Sequence, residues 1–251
     1  MTGPLLEVAH LRAAYGPFDA LFDVSFSVDE GRAVALVGAN GAGKSTVARV
    51  VTGLVPAAGG RVVFAGEDIT GRSAHVIARR GMAHLTEGRA VFATLTVEEN
   101  LVLPFRSALG RRRVDAALAE AYAAFPRLGE RRSQSAGTLS GGEQRMLALA
   151  RVLVLRPRLL VVDELSFGLA PAVVDEVYAA LGRLLVAGTA LVVIEQHVER
   201  ALGLADDAVV LAKGRVAFTG PADEVAGRLG DLVLGGNGAG AADSGTGDAP
   251  G

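Results

Sequence analysis

The stretch Gly38-Ala39-Asn40-Gly41-Ala42-Gly43-Lys44-Ser45-Thr46 constrains this chain more than any other. Its spacing, Gly-x-x-x-x-Gly-Lys-Ser/Thr, is that of a phosphate-binding loop. The apolar run 33–37 precedes it and a helix-like run, 46–54, follows, so the motif sits in the strand–loop–helix setting it requires. The glycines let successive backbone N–H groups turn inward around phosphate oxygens, and the helix N-terminus behind them adds partial positive charge. Lys44 is placed to reach the β- and γ-phosphates and the Ser45 hydroxyl to ligate Mg²⁺. The loop nominates Gly38, Asn40, Gly41, Gly43, Lys44, Ser45 and Thr46 as phosphate-end contacts.

Composition narrows what surrounds that loop. A chain of 251 residues, 50% hydrophobic, can bury a substantial core as one domain or two closely joined lobes. No apolar run approaches the ~18 residues of a membrane span. The richest, 152–155 and 159–162, are split by Arg156-Pro157-Arg158. The first residues lack the basic start and apolar segment of a secretion signal, and the absence of cysteine fits the cytosol. A net charge of −2 argues against a broadly basic nucleic-acid-binding surface. Lys44 and Lys213 are the only lysines.

Strands are expected at 5–11 and 21–28, the second with Phe22, Val24, Phe26 and Val28 in strict alternation. The turn between them holds Tyr15, an aromatic that either stacks on a nucleobase or serves as an ordinary core or surface ring. Further strands are expected at 61–65, 81–85, 207–211 and 215–219, helices at 73–80 and 114–125, and a short helix from Pro221. Thr96 and Glu99 form a capping-box pattern at a helix start. Arg111-Arg112-Arg113 reads as a solvated linker, 130–138 as a loop, and 235–251, built of small and polar residues with one proline, as a disordered tail.

Three more stretches carry chemistry. In Leu139-Ser140-Gly141-Gly142-Glu143-Gln144, Ser140 can cap a helix running to about Leu155. Paired glycines in a first turn cost helix stability and are tolerated where something must approach the backbone. In Leu159-Leu160-Val161-Val162-Asp163-Glu164, a buried parallel strand ends in two carboxylates. Ligands of such sheets bind beyond the carboxyl ends of the strands, so Asp163 is placed to hold Mg²⁺ through water and Glu164 to orient or deprotonate an attacking water. In Leu191-Val192-Val193-Ile194-Glu195-Gln196-His197, a second buried strand ends beside an imidazole, either a γ-phosphate contact or a surface histidine.

The order of these motifs resembles that of the ABC ATPase family over about residues 5–234, and the Ser140–Gln144 signature is specific to it. The resemblance implies an α/β fold: a RecA-like phosphate-loop core, an antiparallel β flank, and a helical subdomain inserted at about 88–158. It makes Tyr15 the adenine-stacking aromatic, 38–46 the Walker A loop, 160–163 the Walker B strand, Glu164 the catalytic glutamate and His197 the switch histidine. It further implies ATP and Mg²⁺, and a second ABC ATPase subunit whose Ser140, Gly141, Gly142 and Gln144 complete the site in trans. Permease subunits would hold the pair at the cytoplasmic face of the membrane, served indirectly by a substrate-binding protein.

Two positions depart from the common pattern. Glu87 stands where most members carry glutamine, and as a carboxylate it can accept hydrogen bonds or approach the metal but cannot donate. Leu165 replaces the usual proline. The run His84 to Leu101 and the segment Gly168-Leu169-Ala170-Pro171 are similar to the ATPase subunits of branched-chain amino acid uptake systems. Urea or amide importers and lipid or drug exporters share the ATP motifs. DNA-maintenance members carry coiled-coil or zinc inserts for which this chain has neither heptads nor cysteines.

Overall fold

The computed structural model describes residues 3–86, 91–195 and 198–228. The chain opens with the hairpin β1 (Leu6–Tyr15) and β2 (Phe18–Val28). It continues through β3 (Ala33–Gly38), α1 (Lys44–Val51), β4 (Gly59–Phe64), β5 (Glu67–Asp68), α2 (Ala74–Arg79) and β6 (Met82–Leu85). Four helices follow: α3 (Val97–Leu109), α4 (Val114–Ala124), α5 (Pro126–Glu130) and α6 (Gly141–Leu155). The remainder alternates: β7 (Leu159–Asp163), α7 (Pro171–Val186), β8 (Ala190–Ile194), α8 (Val198–Leu204), β9 (Asp207–Ala212), β10 (Arg215–Pro221) and α9 (Ala222–Gly227).

The strands lie in the order β5-β4-β1-β2-β10-β9-β3-β8-β7-β6. Neighbours from β9 to β6 run parallel, whereas β5, β4, β1 and β2 form an antiparallel flank. The parallel strands read as unbroken apolar runs because both of their faces are covered. In β7, Leu160 and Val162 pack toward the helical side, while Leu159 and Val161 face the core shared with α1 and the β flank. In β8, Leu191 and Val193 divide from Ala190, Val192 and Ile194 in the same way.

Helices α3, α4 and α6 pack on one another, and α6 also packs on α7. Thr96 starts α3 through the expected capping box, its hydroxyl accepting the Glu99 N–H at 3.1 Å and the Glu99 carboxylate accepting the Thr96 N–H at 2.8 Å. Asn100, fully buried, accepts the Phe92 N–H at 2.8 Å and donates to the Phe92 and Thr96 carbonyls at 3.0 and 2.9 Å. One amide thereby pins the segment entering the helical layer onto the first turn of α3.

The structure corrects the sequence reading in places. Phe22 is not part of the buried alternation: Leu11 pairs with Val24 but Ala13 with Leu21, so β2 carries an extra residue there. The irregularity buries Leu21 and turns Phe22 outward. Arg111–Arg113 form a 3-10 turn, and the expected loop 130–138 contains another at Ala136–Thr138. Helices α5 and α7 and strand β5 are additional elements. The expected tail, 235–251, lies outside the described residues.

Candidate active site

The phosphate loop leaves the carboxyl end of β3, which sits between β8 and β9. At Gly38 (φ 148°) an added Cβ would lie 2.2 Å from the Leu211 carbonyl oxygen of β9, so only glycine lets the chain turn there. Helix α1 begins at Lys44 with no side-chain cap, and its first-turn N–H groups face the loop as anion donors. Lys44 is 5% exposed, and its Nζ donates to the Gly38 and Ala39 carbonyls at 2.9 and 3.1 Å. Burial lowers its pKa, and the Glu164 and Asp163 carboxylates oppose that shift. The ammonium is thus held over the loop in the field of two carboxylates.

Ser45 and Asp163, the two residues at the loop and the β7 end expected to hold metal, lie together: the Ser45 hydroxyl donates to Asp163 Oδ1 at 2.8 Å. Asp163 closes β7, whose neighbour β8 pairs Ile194 with it. Glu164 then turns out of the sheet in a left-handed conformation (φ 51°), its N–H donating to the Ile194 carbonyl at 2.8 Å. Leu165, in the place of the usual proline, is 1% exposed and belongs to the core.

A cleft of about 500 Å³ is lined by Asn40, Gly41, Gly43, Lys44, Ser45, Thr46 and Glu164. Phe22, Asp19 and Lys213 line it too, and none of the three was nominated from sequence. Phe22 comes there through the β2 irregularity, with the Arg215 guanidinium 4.9 Å from its ring centroid. Lys213 comes on the turn between β9 and β10, tied to the phosphate loop by the Gly214 N–H, which donates to the Ala42 carbonyl at 3.0 Å. The Lys213-Gly214 pair was a readable turn signal, but its position over the loop depends on β9 lying beside β3. Tyr15, 42% exposed at the end of β1, is not among the residues lining the cleft.

Ser140 caps α6 in a second capping box: its hydroxyl accepts the Glu143 N–H at 3.3 Å, and Glu143 Oε2 accepts the Ser140 N–H at 2.9 Å. The Ser140 N–H is the first cause of the lowered Glu143 pKa. Gln144 turns back into its own chain, donating to the Ala136 and Leu139 carbonyls at 3.1 and 3.3 Å. None of Ser140, Gly141, Gly142 or Gln144 lines the cleft built by the phosphate loop of the same chain. Glu87 and His197 lie outside the described residues.

A strand-to-helix phosphate loop whose serine meets an aspartate from a nearby parallel strand, with a second carboxylate one residue on, defines a nucleotide-hydrolysing P-loop protein. The antiparallel flank and the helical layer led by the capped Ser-Gly-Gly start narrow that class to ATP-binding cassettes. Residues 21–166, more than half of the chain, match the family described as ABC transporter. The chain belongs to that family and is an ABC ATPase.

Over 235 residues it is 42% identical to the high-affinity branched-chain amino acid transport ATP-binding protein BraG of Pseudomonas aeruginosa, covering 92% of this chain and 100% of BraG. It is 36% identical over 222 residues to LivF of Archaeoglobus fulgidus, described as a probable branched-chain amino acid transport ATP-binding protein, covering 88% and 94% of the two chains. The fold is similar to the ADP conformation of MJ1267, an ATP-binding cassette of an ABC transporter. That match has a TM-score of 0.79 at 26% identity and covers 94% of this chain and 98% of that one.

Proposed function

We propose that this chain is the ATP-hydrolysing subunit of an ABC importer for branched-chain or similarly apolar amino acids. The observation that carries the reading is the similarity to BraG along that relative's whole length. The ATPase domain then spans 5–234, with 88–158 as its helical subdomain. The subunit works at the cytoplasmic face of the membrane beneath permease subunits, and among the described residues no helix is long and apolar enough to cross the membrane itself.

In this reading the loop N–H groups from Gly41 to Thr46 and the Lys44 ammonium receive the β- and γ-phosphates. Ser45 and Asp163 fit Mg²⁺: a hydroxyl and a carboxylate, both hard oxygens, are the sparse protein donors this ion takes beside phosphate and water. Among the described residues no group of three His, Cys, Asp or Glu offers another cation site. An ion held by these two residues would supply neutralisation of charge on the phosphates. Glu164 accepts a proton from the attacking water as the water oxygen bonds to the γ-phosphorus. The bond to the β–γ bridging oxygen breaks, and ADP leaves with the electron pair.

Two cassettes share each ATP in this reading, the signature helix of one closing on the γ-phosphate held by the other. Gly141 suits that approach, since an added Cβ there would meet nothing within 4 Å. Closure and reopening drive the permease, to which a substrate-binding protein delivers amino acids. Deleting the gene and measuring uptake of labelled leucine, isoleucine, valine and urea tests the assignment. Lost uptake of the three amino acids is expected. Intact amino-acid uptake with lost urea uptake would reassign the substrate, and intact uptake of all four would favour export.

A further inference from the structure

Beyond the ends of β7 and β8 the chain makes a second set of contacts that ATP binding does not explain. Ser166 and Glu195 are each 1% exposed, yet both are polar. The Ser166 N–H donates to Glu195 Oε1 at 3.0 Å, and its hydroxyl donates to Glu195 Oε2 at 2.5 Å. One residue thereby occupies both oxygens of a buried carboxylate. Charge in a core is costly unless closely paired with donors, so a site needing only packing would be served by an apolar side chain.

The location of this clamp says what it can do. Ser166 lies two residues after Glu164, and Glu195 follows Ile194, whose carbonyl accepts the Glu164 N–H at 2.8 Å. The segment Glu164-Leu165-Ser166 is therefore tied to the end of β8 at both of its ends. Between those ties Glu164 keeps a left-handed backbone (φ 51°), a conformation L side chains adopt only when their surroundings impose it. The opposite side of the same loop is held from α6, where Arg145 Nη1 donates to the Phe167 carbonyl at 2.5 Å. Tyr178 of α7 lies on the Glu195 side, its hydroxyl pKa raised first by burial and then by the Glu195 charge.

We propose that Glu195 is a positioning residue for hydrolysis: by gripping Ser166 through both carboxylate oxygens it holds Glu164 in the conformation that aims its carboxylate into the phosphate cleft. Glu195 does not line that cleft, so it acts through Glu164 rather than on the nucleotide. The proposal rests on the reading of Glu164 as the base that activates water.

Glu195→Gln, Ser166→Ala and the double variant test it, through steady-state ATPase kinetics and equilibrium binding of a fluorescent ATP analogue. Each single variant should lower kcat by about tenfold to a hundredfold, the scale of misplacing a catalytic group by about 1 Å. KM and analogue affinity should stay within about twofold, because the phosphate loop is untouched. The double variant should be no slower than the slower single, since both remove one link. Ser166→Ala removes a single oxygen and leaves the Ser166 N–H contact in place, which keeps a folded protein to measure if the buried glutamine disturbs folding. Unchanged kcat in both singles, a KM increase matching the kcat loss, or additive losses would each overturn the proposal.

Glu164→Gln separates this from the underlying reading. If that variant hydrolyses ATP at the wild-type rate, the assignment of the base falls and this proposal with it. If it is inactive while Glu195→Gln is not slowed, only the positioning role is lost.

Discussion

Lowering the pH from about 7.5 to about 5 should destabilise the native protein by up to about 2 kcal/mol more than a His84→Gln variant. His84 sits on β6 beside a largely apolar groove of about 570 Å³ whose walls include Ile77, Met82, Leu109 and Leu155. Its Nδ1 is 3.1 Å from the Thr52 hydroxyl, which donates its own proton to the Ala48 carbonyl at 2.7 Å. Thr52 can therefore only accept, so Nδ1 carries the ring proton and Nε2 holds the lone pair. Among the described residues Nε2 is buried without a hydrogen-bond partner, and protonating it would place an unpaired N–H and a charge against that apolar wall. Burial first, and the Arg49 cation second, lower the His84 pKa from the usual 6.5 to about 4. The unfolded chain takes up a proton below about 6.5 while the folded chain resists until about 4, so acid favours unfolding. The stabilisation is complete above the unfolded value and is lost as pH falls from there toward about 4. Urea melts of both proteins across that range measure the difference, and thermal melts should show an excess loss of about 4–8 °C at the acid end. Carboxylate titrations act on both proteins alike and cancel in the comparison. Profiles that stay parallel would refute the buried neutral imidazole.

Lys44→Ala should abolish ATP binding by removing the cation over the phosphate loop, which titration with a fluorescent ATP analogue checks; retained binding would mean that the loop N–H groups suffice. Ser140→Ala should cost about 1 kcal/mol of stability through loss of the α6 cap, seen in urea melts, and should slow ATP hydrolysis by loosening the signature helix. An unchanged melt would show that the box of Ser140 and Glu143 is not holding the helix start. Truncation after Leu234 should leave melting temperature and ATPase rate unchanged, because the residues removed carry no apolar side chain larger than proline; a drop of several degrees would show that they dock.

What can be read from this sequence is what is encoded locally. Gly38 to Thr46 carries its geometry in its own residues, and the Thr96–Glu99 and Ser140–Glu143 boxes each close within one helical turn. Unbroken apolar runs at 159–162 and 191–194 likewise announce strands covered on both faces. Helix α7 has a local signature too, Pro171 at its first turn and the buried series Val174, Val177, Leu181 and Leu184. Phe22, by contrast, obeys alternation in sequence and breaks it in space, because the register with β1 slips between Leu11 and Ala13.

The Ser166–Glu195 clamp, bridging 29 positions, depends on β7 lying against β8, a neighbour relation that no local pattern records. Strand order likewise decides which motifs meet within one chain. Ser45, Asp163 and Glu164 converge because the strands before them end on one edge of the sheet, with β8 between β3 and β7. Ser140 begins a helix of the other layer, and its capping box spends its hydrogen bonds on its own first turn. With Gln144 also committed to its own backbone, this helix start still presents the exposed Ser140 and Gly141. Under the proposed function, a nucleotide held by a second cassette is what would meet that surface.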